Sequence, residues 1–212
     1  MKRLIIGDLH GNFSLIPYLK KRYADYDEIV VAGDFGLGFH RDDEARMYAE
    51  DETKPIIRFI RGNHDNVEVC KTFTEGGVRW IPDGTVEDGI LYVGGAWSID
   101  YQMRTPGLNW WYNEELSEEE WEEIFKSLEG RYEEIHTVVS HDLPQRIAHK
   151  ILPAHKPVLP TRTTAYLDML WNRLPNVKLW LFGHYHVYQQ VEHYDVTLIC
   201  LPDRVGRTYT LT

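Results

Sequence analysis

Cysteine is nearly missing from this chain. Cys70 and Cys200 are the only two and share no CxxC spacing, which excludes a disulfide framework and a thiolate zinc site. Two reduced, buried thiols in a cytosolic protein are the simplest reading. Long apolar runs are missing as well, since none approaches the roughly 18 uninterrupted residues of a membrane span. The N-terminal MKRLIIGDLHG enters an apolar run and a polar cluster at once, unlike a signal peptide. A cytoplasmic location without membrane contact is therefore expected. Positive charge is short too: 23 Lys and Arg stand against 33 Asp and Glu, a formal charge of -10. Long contact with duplex DNA or RNA is not expected of such a chain. There is no internal repeat, low-complexity tract or linker, and residues 1–212 read as one domain.

What the chain does have is five polar clusters, each placed where an apolar run ends. They are Asp8-Leu9-His10, Gly33-Asp34, Gly62-Asn63-His64-Asp65, Ser140-His141 and Gly183-His184-Tyr185-His186. The preceding runs RLII, EIVVA, PIIRFI, HTVV and LWLF have the apolar character of buried strands. Each run meets a small residue (Gly7, Gly33, Gly62, Ser140 or Gly183) that lets the backbone turn and present the next side chain. Ligands of open α/β sheets bind beyond the carboxyl ends of the strands. Five strands would thus deliver carboxylates, one amide and imidazoles to one rim.

Strand and helix alternate over the first 75 residues, which predicts a parallel sheet with helices near 14–22, 42–50 and 67–73. Ser14 is the expected first N-cap. From 78 to 93 the pattern changes to short strands broken by Pro82-Asp83-Gly84 and Asp88-Gly89. Ser117 and Glu120 form a capping box ahead of Trp121, Ile124, Phe125 and Leu128 at helical spacing. A further amphipathic helix is expected at 164–174, strands at 136–139 and 179–182, and antiparallel strands at 189–193, 196–200 and 207–211. A parallel half followed by strand-rich segments predicts two sheets packed face to face with helices outside.

Carboxylate, amide and imidazole donors together suit Mn²⁺, Fe, Zn²⁺ or Ni²⁺. Seven donors are too many for one open catalytic ion. They suit two ions sharing a carboxylate, roughly 3.5–4 Å apart, as in phosphatases and nucleases. The ordered set D-x-H, G-D, G-N-H-D, S-H and G-H-x-H, spread over residues 8–186, resembles the calcineurin-like metallophosphoesterases.

That resemblance implies an α/β (α+β) fold of four layers, two mixed β-sheets packed as a sandwich and flanked by helices. It implies a dinuclear phosphoesterase, phosphodiesterase or phosphatase, acting on nucleotide-like or other small phosphate esters by in-line attack of hydroxide held at the ions. Asp8, His10 and His186 match the first-metal ligands, Asp34 the bridging carboxylate, and Asn63, His141 and His184 the second-metal ligands. His64 matches the histidine that contacts phosphate and protonates the leaving oxygen, and Asp65 would orient its imidazole. Two divalent ions are the implied cofactors, with Mn²⁺ first and Fe, Zn²⁺ or Ni²⁺ as alternatives. Their four positive charges would let an acidic chain bind phosphate.

The sequence departs from the protein-phosphatase branch, where the second motif continues into Asp-Arg-Gly. Here Asp34 is followed by Phe35-Gly36-Leu37-Gly38, so the arginine that branch uses for phosphate is missing from that position. Arg104 is the first candidate to replace it. Its segment, from Gly94-Gly95-Ala96-Trp97 to Trp110-Trp111, looks like one in compact prokaryotic and phage metallophosphoesterases, and its guanidinium can grip phosphate with two parallel bonds. The nearby aromatics read more simply as core than as a base-stacking surface. Residues 143–164 contain Arg146, Lys150, Lys156 and Arg162 with no acid, which marks a candidate lid or substrate-facing loop. His40, His136, His149, His155 and His193 read as structural or surface residues. Asp142 reads as an acceptor for a neighbouring group or as a turn cap. The glutamates at 114–123 read as a solvated helix start. A nucleotide pyrophosphohydrolase or single-strand nuclease would use the same core, and a non-catalytic scaffold is the alternative outside the enzymes.

Overall fold

Apolar side chains alternate between the two faces of each strand, and this alternation divides the interior into three packed layers. The computed structural model describes residues 1–39, 42–156, 158–203 and 207–212. Strands β1 (Arg3–Ile6), β2 (Glu28–Val31), β3 (Ile56–Phe59) and β4 (Val78–Trp80) form a parallel sheet in that order. Leu4, Ile6, Ile29, Val31, Ile57 and Phe59 turn to its outer face. There they meet the helices α1 (Ile16–Arg22), α2 (Asp42–Ala49) and α3 (Val67–Cys70).

The second sheet has the order β5-β6-β7-β8-β10-β9, built from Thr85–Glu87, Ile90–Val93, Thr137–Ser140, Leu179–Phe182, Gln189–His193 and Val196–Cys200 taken in chain order. Strands β6, β7, β8 and β10 are parallel, and β5 and β9 are antiparallel edges. Leu91, Val138, Trp180, Phe182 and Leu198 pack outward against the helices α4 (Glu118–Ser127), α5 (Gln145–Ile151) and α6 (Arg162–Trp171). The Ser117–Glu120 capping box holds the start of α4, with Glu120 N–H donating to Ser117 Oγ at 3.1 Å.

Between the sheets lie Ile5, Val30, Ala32, Ile60, Tyr92, Val139, Leu181 and Ile199, all fully buried or nearly so. Each large apolar side chain in this layer stabilises the sandwich by about 1.5–3 kcal/mol relative to exposure. Register pairs Ile6 with Val31 and Val31 with Phe59, and Ser140 with Phe182. Within each sheet the motif-bearing strands therefore end level. The fold is the expected pair of mixed sheets flanked by helices. Among the described residues no helix is long and apolar enough to cross a membrane.

The last strand, β11 (Tyr209–Leu211), is antiparallel as expected, and its partner is β1 of the first sheet. Three local expectations need correction. Residues 143–164 are not one loop, since α5 takes up their first third and α6 begins at Arg162. Ser14 does not cap α1: it lies inside a short 3-10 turn and its hydroxyl donates to Asn12 Oδ1. The acidic run begins inside the protein, with Glu114 and Glu115 buried ahead of α4.

Candidate metal centre

The chain leaves β1, β2 and β8 through tight turns that need unusual backbone. His10, Asp34, His184 and His186 have φ of 49°, 46°, 67° and 52°. Left-handed backbone at a non-glycine residue costs about 1–3 kcal/mol and persists only where the surroundings fix it. Here Leu9 and His10 N–H donate to Asp34 O at 3.1 and 2.8 Å, and His184 N–H donates to both Asp8 oxygens at 3.2 Å. Glycines beside these turns make room for donors. A Cβ at Gly183 would fall 2.2 Å from Asp8 Oδ1, one at Gly62 2.1 Å from Asp34 Oδ1, and one at Gly33 2.0 Å from His141 Nδ1.

Two groups of donor atoms result, and Asp34 belongs to both. Asp8, His10, Asp34 and His186 offer atoms that all lie within 4.8 Å of one another, as do Asp34, His141 and His184. In the first group His186 Nε2 is 3.0 Å from Asp8 Oδ2 and 2.9 Å from His10 Nε2. Hydrogen bonding to Asp8 raises the His186 pKa.

Around the second group, the outer bonds of His141 and Asn63 turn Nε2 and Oδ1 inward. His141 Nδ1 donates to Ala32 O at 2.9 Å, leaving Nε2 toward Asn63 Oδ1 at 3.2 Å and Asp34 Oδ1 at 3.3 Å. The Asn63 amide N–H₂ donates to Ser98 Oγ at 3.0 Å, and Ser98 Oγ donates to Glu114 Oε2 at 2.6 Å, so Oδ1 is the amide atom facing His141. Burial alone would lower the His141 pKa, but the charge and hydrogen bond of Asp34 carry it to about 10. Burial lowers His184 to about 3. Buried acceptors converging on one point, with glycines where a Cβ would intrude, fit divalent cations; a cation bound there would take the place of the His141 proton.

Asp65 does not orient His64, contrary to what the resemblance implied. Its Oδ2 accepts from Phe35 and Gly62 N–H at 3.0 and 2.8 Å, and its Oδ1 from Gly36 and Leu37 N–H at 2.7 and 3.0 Å. The carboxylate is thus committed to the backbone, tying the turn after β2 to the turn after β3. Burial, then the Asp34 charge, raises its pKa to about 7 against the pull of those amides.

The His64 ring lies between the face of Phe39, at a centroid distance of 5.6 Å, and the edge of His10, at 5.1 Å. Its Nε2 is 2.9 Å from Arg104 Nη2. Arg104 Nε in turn pairs with Asp100 Oδ1 at 2.7 Å. Burial foremost, with Arg104 adding, lowers the His64 pKa.

These groups border a cleft of about 310 Å³ whose wall also includes Ile99, Lys156 and Tyr185. Arg104 and the 143–164 segment thus both reach the cleft, the latter through Lys156. His136, His149, His155 and His193 lie in neither donor group, and His40 lies outside the described residues. Trp110 and Trp111 are buried. Asp142 accepts from Tyr185 O–H at 2.6 Å and Leu143 N–H at 2.8 Å rather than from His141. Sequence reasoning missed Ser98 and Glu114. A serine among glycines and the first glutamate of an acidic run carry no spacing signal toward Asn63.

A family profile described as calcineurin-like phosphoesterase matches residues 1–188. No curated relative matches the sequence. Solved structures with a similar fold include GAP50, the anchor in the inner membrane complex of Plasmodium, at 16% identity and TM-score 0.58, covering 95% of this chain and 71% of that one. The TT1561 protein of Thermus thermophilus is similar at 12% identity and TM-score 0.57, over 95% of this chain and 89% of its own. A dimetal phosphatase from Danio rerio is similar at 12% identity and TM-score 0.57, over 95% of this chain and 87% of its own.

Proposed function

Because the chain belongs to the calcineurin-like phosphoesterase family, we propose that it hydrolyses a small, nucleotide-like phosphate ester at a centre of two divalent ions. The observation that carries this reading is the pair of donor groups sharing Asp34, with His64 on the same cleft. Asp8, His10 and His186 would hold one ion, Asn63, His141 and His184 the other, and Asp34 both. Bound there, the ions supply Lewis-acid charge to the phosphoryl oxygens and bring the pKa of water toward neutrality. Mn²⁺ is the proposed ion, since the mixed nitrogen and oxygen donors suit it and affinity order alone does not choose.

The chain's own residues do the rest. Before substrate arrives, His64 Nε2 accepts from Arg104, and burial with that guanidinium beside it disfavours the charged ring. A phosphate oxyanion competes for the same guanidinium and draws it away, since charge-assisted bonds to phosphate outweigh a bond to a neutral ring nitrogen. Nε2 is then free to take a proton from solvent and deliver it to the leaving oxygen. Asp65 keeps the two turns in register, and Ser98 with Glu114 keeps the Asn63 oxygen facing inward.

Mn²⁺-supplemented hydrolysis of p-nitrophenyl phosphate and bis(p-nitrophenyl) phosphate tests the reading. Activity is expected to vanish with a chelator, and His64→Ala is expected to lower kcat by about 10²–10⁴-fold. Undiminished turnover in that variant would remove the proton-donor role. Fewer than about one ion per chain after Mn²⁺ loading would contradict the two-ion centre. A scaffold has no need of His64 beside a full donor set, and no turnover of either ester would favour that alternative.

A further inference from the structure

Four basic residues lie in the acid-free segment 143–164, and three of them are occupied away from the cleft. Arg146 pairs with Asp168 at 3.1 Å and Asn172 at 3.0 Å, Arg162 donates to Leu116 O at 3.1 Å, and Lys150 lies over the Tyr194 ring. Lys156 differs. It is half-buried on the cleft wall, and among the described residues its ammonium has no hydrogen-bond or ion-pair partner. Among the described residues lining the cleft, the other cationic side chain is Arg104, held by Asp100 and, until a phosphate arrives, by His64. Lys156 thus brings an unpaired positive charge to the wall of this cleft in a protein with a surplus of acids.

The charge balance of the cleft, taken on the two-ion reading above, says what would pair with it. Two divalent ions bring four positive charges. The two carboxylates of the donor groups, Asp8 and Asp34, offset half of that. The hydroxide and the scissile phosphate take up the charge that remains on the ions. The Arg104–Asp100 pair is neutral in itself. Among the described residues that line the cleft, Lys156 is then the cation with no partner of its own.

We propose that Lys156 binds a second anionic group of the substrate, so that this site selects phosphate esters carrying a further negative charge beyond the scissile phosphate. The inference rests on the phosphoesterase reading and narrows its substrate class. Lysine suits this role as a compact charge on a flexible stem, able to follow anionic groups of differing geometry.

The test compares binding of two inert phosphonates to the Mn²⁺-loaded protein by calorimetry. 4-Phosphonobutyrate carries an extra carboxylate that butylphosphonate lacks. The wild-type protein is expected to prefer the former by about tenfold, the order of one charge-assisted bond. In Lys156→Ala and Lys156→Gln that ratio should collapse to within about twofold, and Lys156→Arg should restore most of it. Butylphosphonate binding serves as the check that each variant is folded. A wild-type protein without the preference, or a ratio unchanged in the alanine and glutamine variants, would overturn the inference while metal-dependent hydrolysis of the chromogenic esters still stood. Absence of that hydrolysis, together with no binding of either phosphonate, would overturn the phosphoesterase reading and this inference with it.

Discussion

The two ends of the sandwich both bury charge, and they handle it in opposite ways. At the end where β1 and β2 begin, Arg3 pairs with Glu28 at 3.0 Å and with Asp88 at 2.8 Å. Arg58 reaches Glu28 at 3.3 Å and donates to Glu87 at 2.9 Å. Each guanidinium there meets at least two carboxylates, and the network stitches β1, β2 and β3 of one sheet to β5 and the turn after it in the other. At the end where the same strands stop, Asp8, Asp34, Asn63 and four imidazoles face one another, and among the described residues neither Arg nor Lys pairs with the two carboxylates. Pairing makes the first end a structural clamp. Convergent acceptors make the second a receptor for cations, held open by left-handed turns and glycines.

Removing a carboxylate at the receptor end should cost activity and not stability. Asp34→Asn keeps an oxygen able to accept from His64 N–H, a bond of 2.7 Å, but loses the charge that both donor groups share. Metal-dependent turnover is expected to fall by about 10³-fold or more, because several kcal/mol of transition-state stabilisation is assigned to the bound ions. In a chelator the melting temperature should stay within about 2–4 °C of the wild type, the equivalent of roughly 1 kcal/mol for a chain of this size. Thermal melts and kcat/KM on the same preparation check this. A large loss of stability in the chelated variant would mean that Asp34 serves the fold as Arg3 does, and the contrast between the two ends would break.

The converse substitution belongs to the clamp. Arg3→Met leaves Asp88 without its guanidinium partner and removes one of the two that Glu28 has. Arg3 is only 3% exposed, so little water can replace it. Breaking a buried pair from one side costs about 3 kcal/mol, read as a fall in melting temperature of about 6–12 °C. Turnover at a temperature where the variant is folded should remain within about twofold of wild type. A melting temperature that does not move would show the network to be ornamental, and lost turnover would show that strain at one end reaches the other.

This contrast was only half legible in the sequence. A donor that leaves a strand must follow an apolar run and a small residue, so Asp8, Asp34, Asn63, His141 and His184 stand out against regular surroundings. Local spacing also gives the Ser117 capping box, because both of its partners lie within one turn. The clamp leaves no such trace. Arg3, Glu28 and Arg58 are single charges in apolar runs, and only the parallel register brings Arg3 beside Glu28. Asp65 misled for a related reason. Its neighbour in sequence is His64, but three of the four amides that its oxygens accept come from a loop some thirty residues earlier, contacts that exist only once β2 and β3 are paired. The crossing of β11 to the first sheet likewise depends on an unfilled edge beside β1, which no residue in 207–211 announces.

A smaller effect tests whether orientation of acceptors, and not charge alone, defines the receptor end. Ser98 lies on the segment after β6, accepts from the Asn63 amide and donates to buried Glu114. Ser98→Ala changes no charge and removes no donor from either metal group, yet it frees the Asn63 amide to turn its N–H₂ toward His141. Residues that hold ligands in place typically account for 10–100-fold in metal affinity. The Mn²⁺ concentration giving half-maximal activity is therefore expected to rise about 10–100-fold, while kcat at saturating Mn²⁺ recovers most of its wild-type value. A kcat that stays low at saturation would move Ser98 from positioning the donor to taking part in the chemistry. An unchanged Mn²⁺ midpoint would mean that Asn63 holds its orientation without help, and that charge alone separates the two ends.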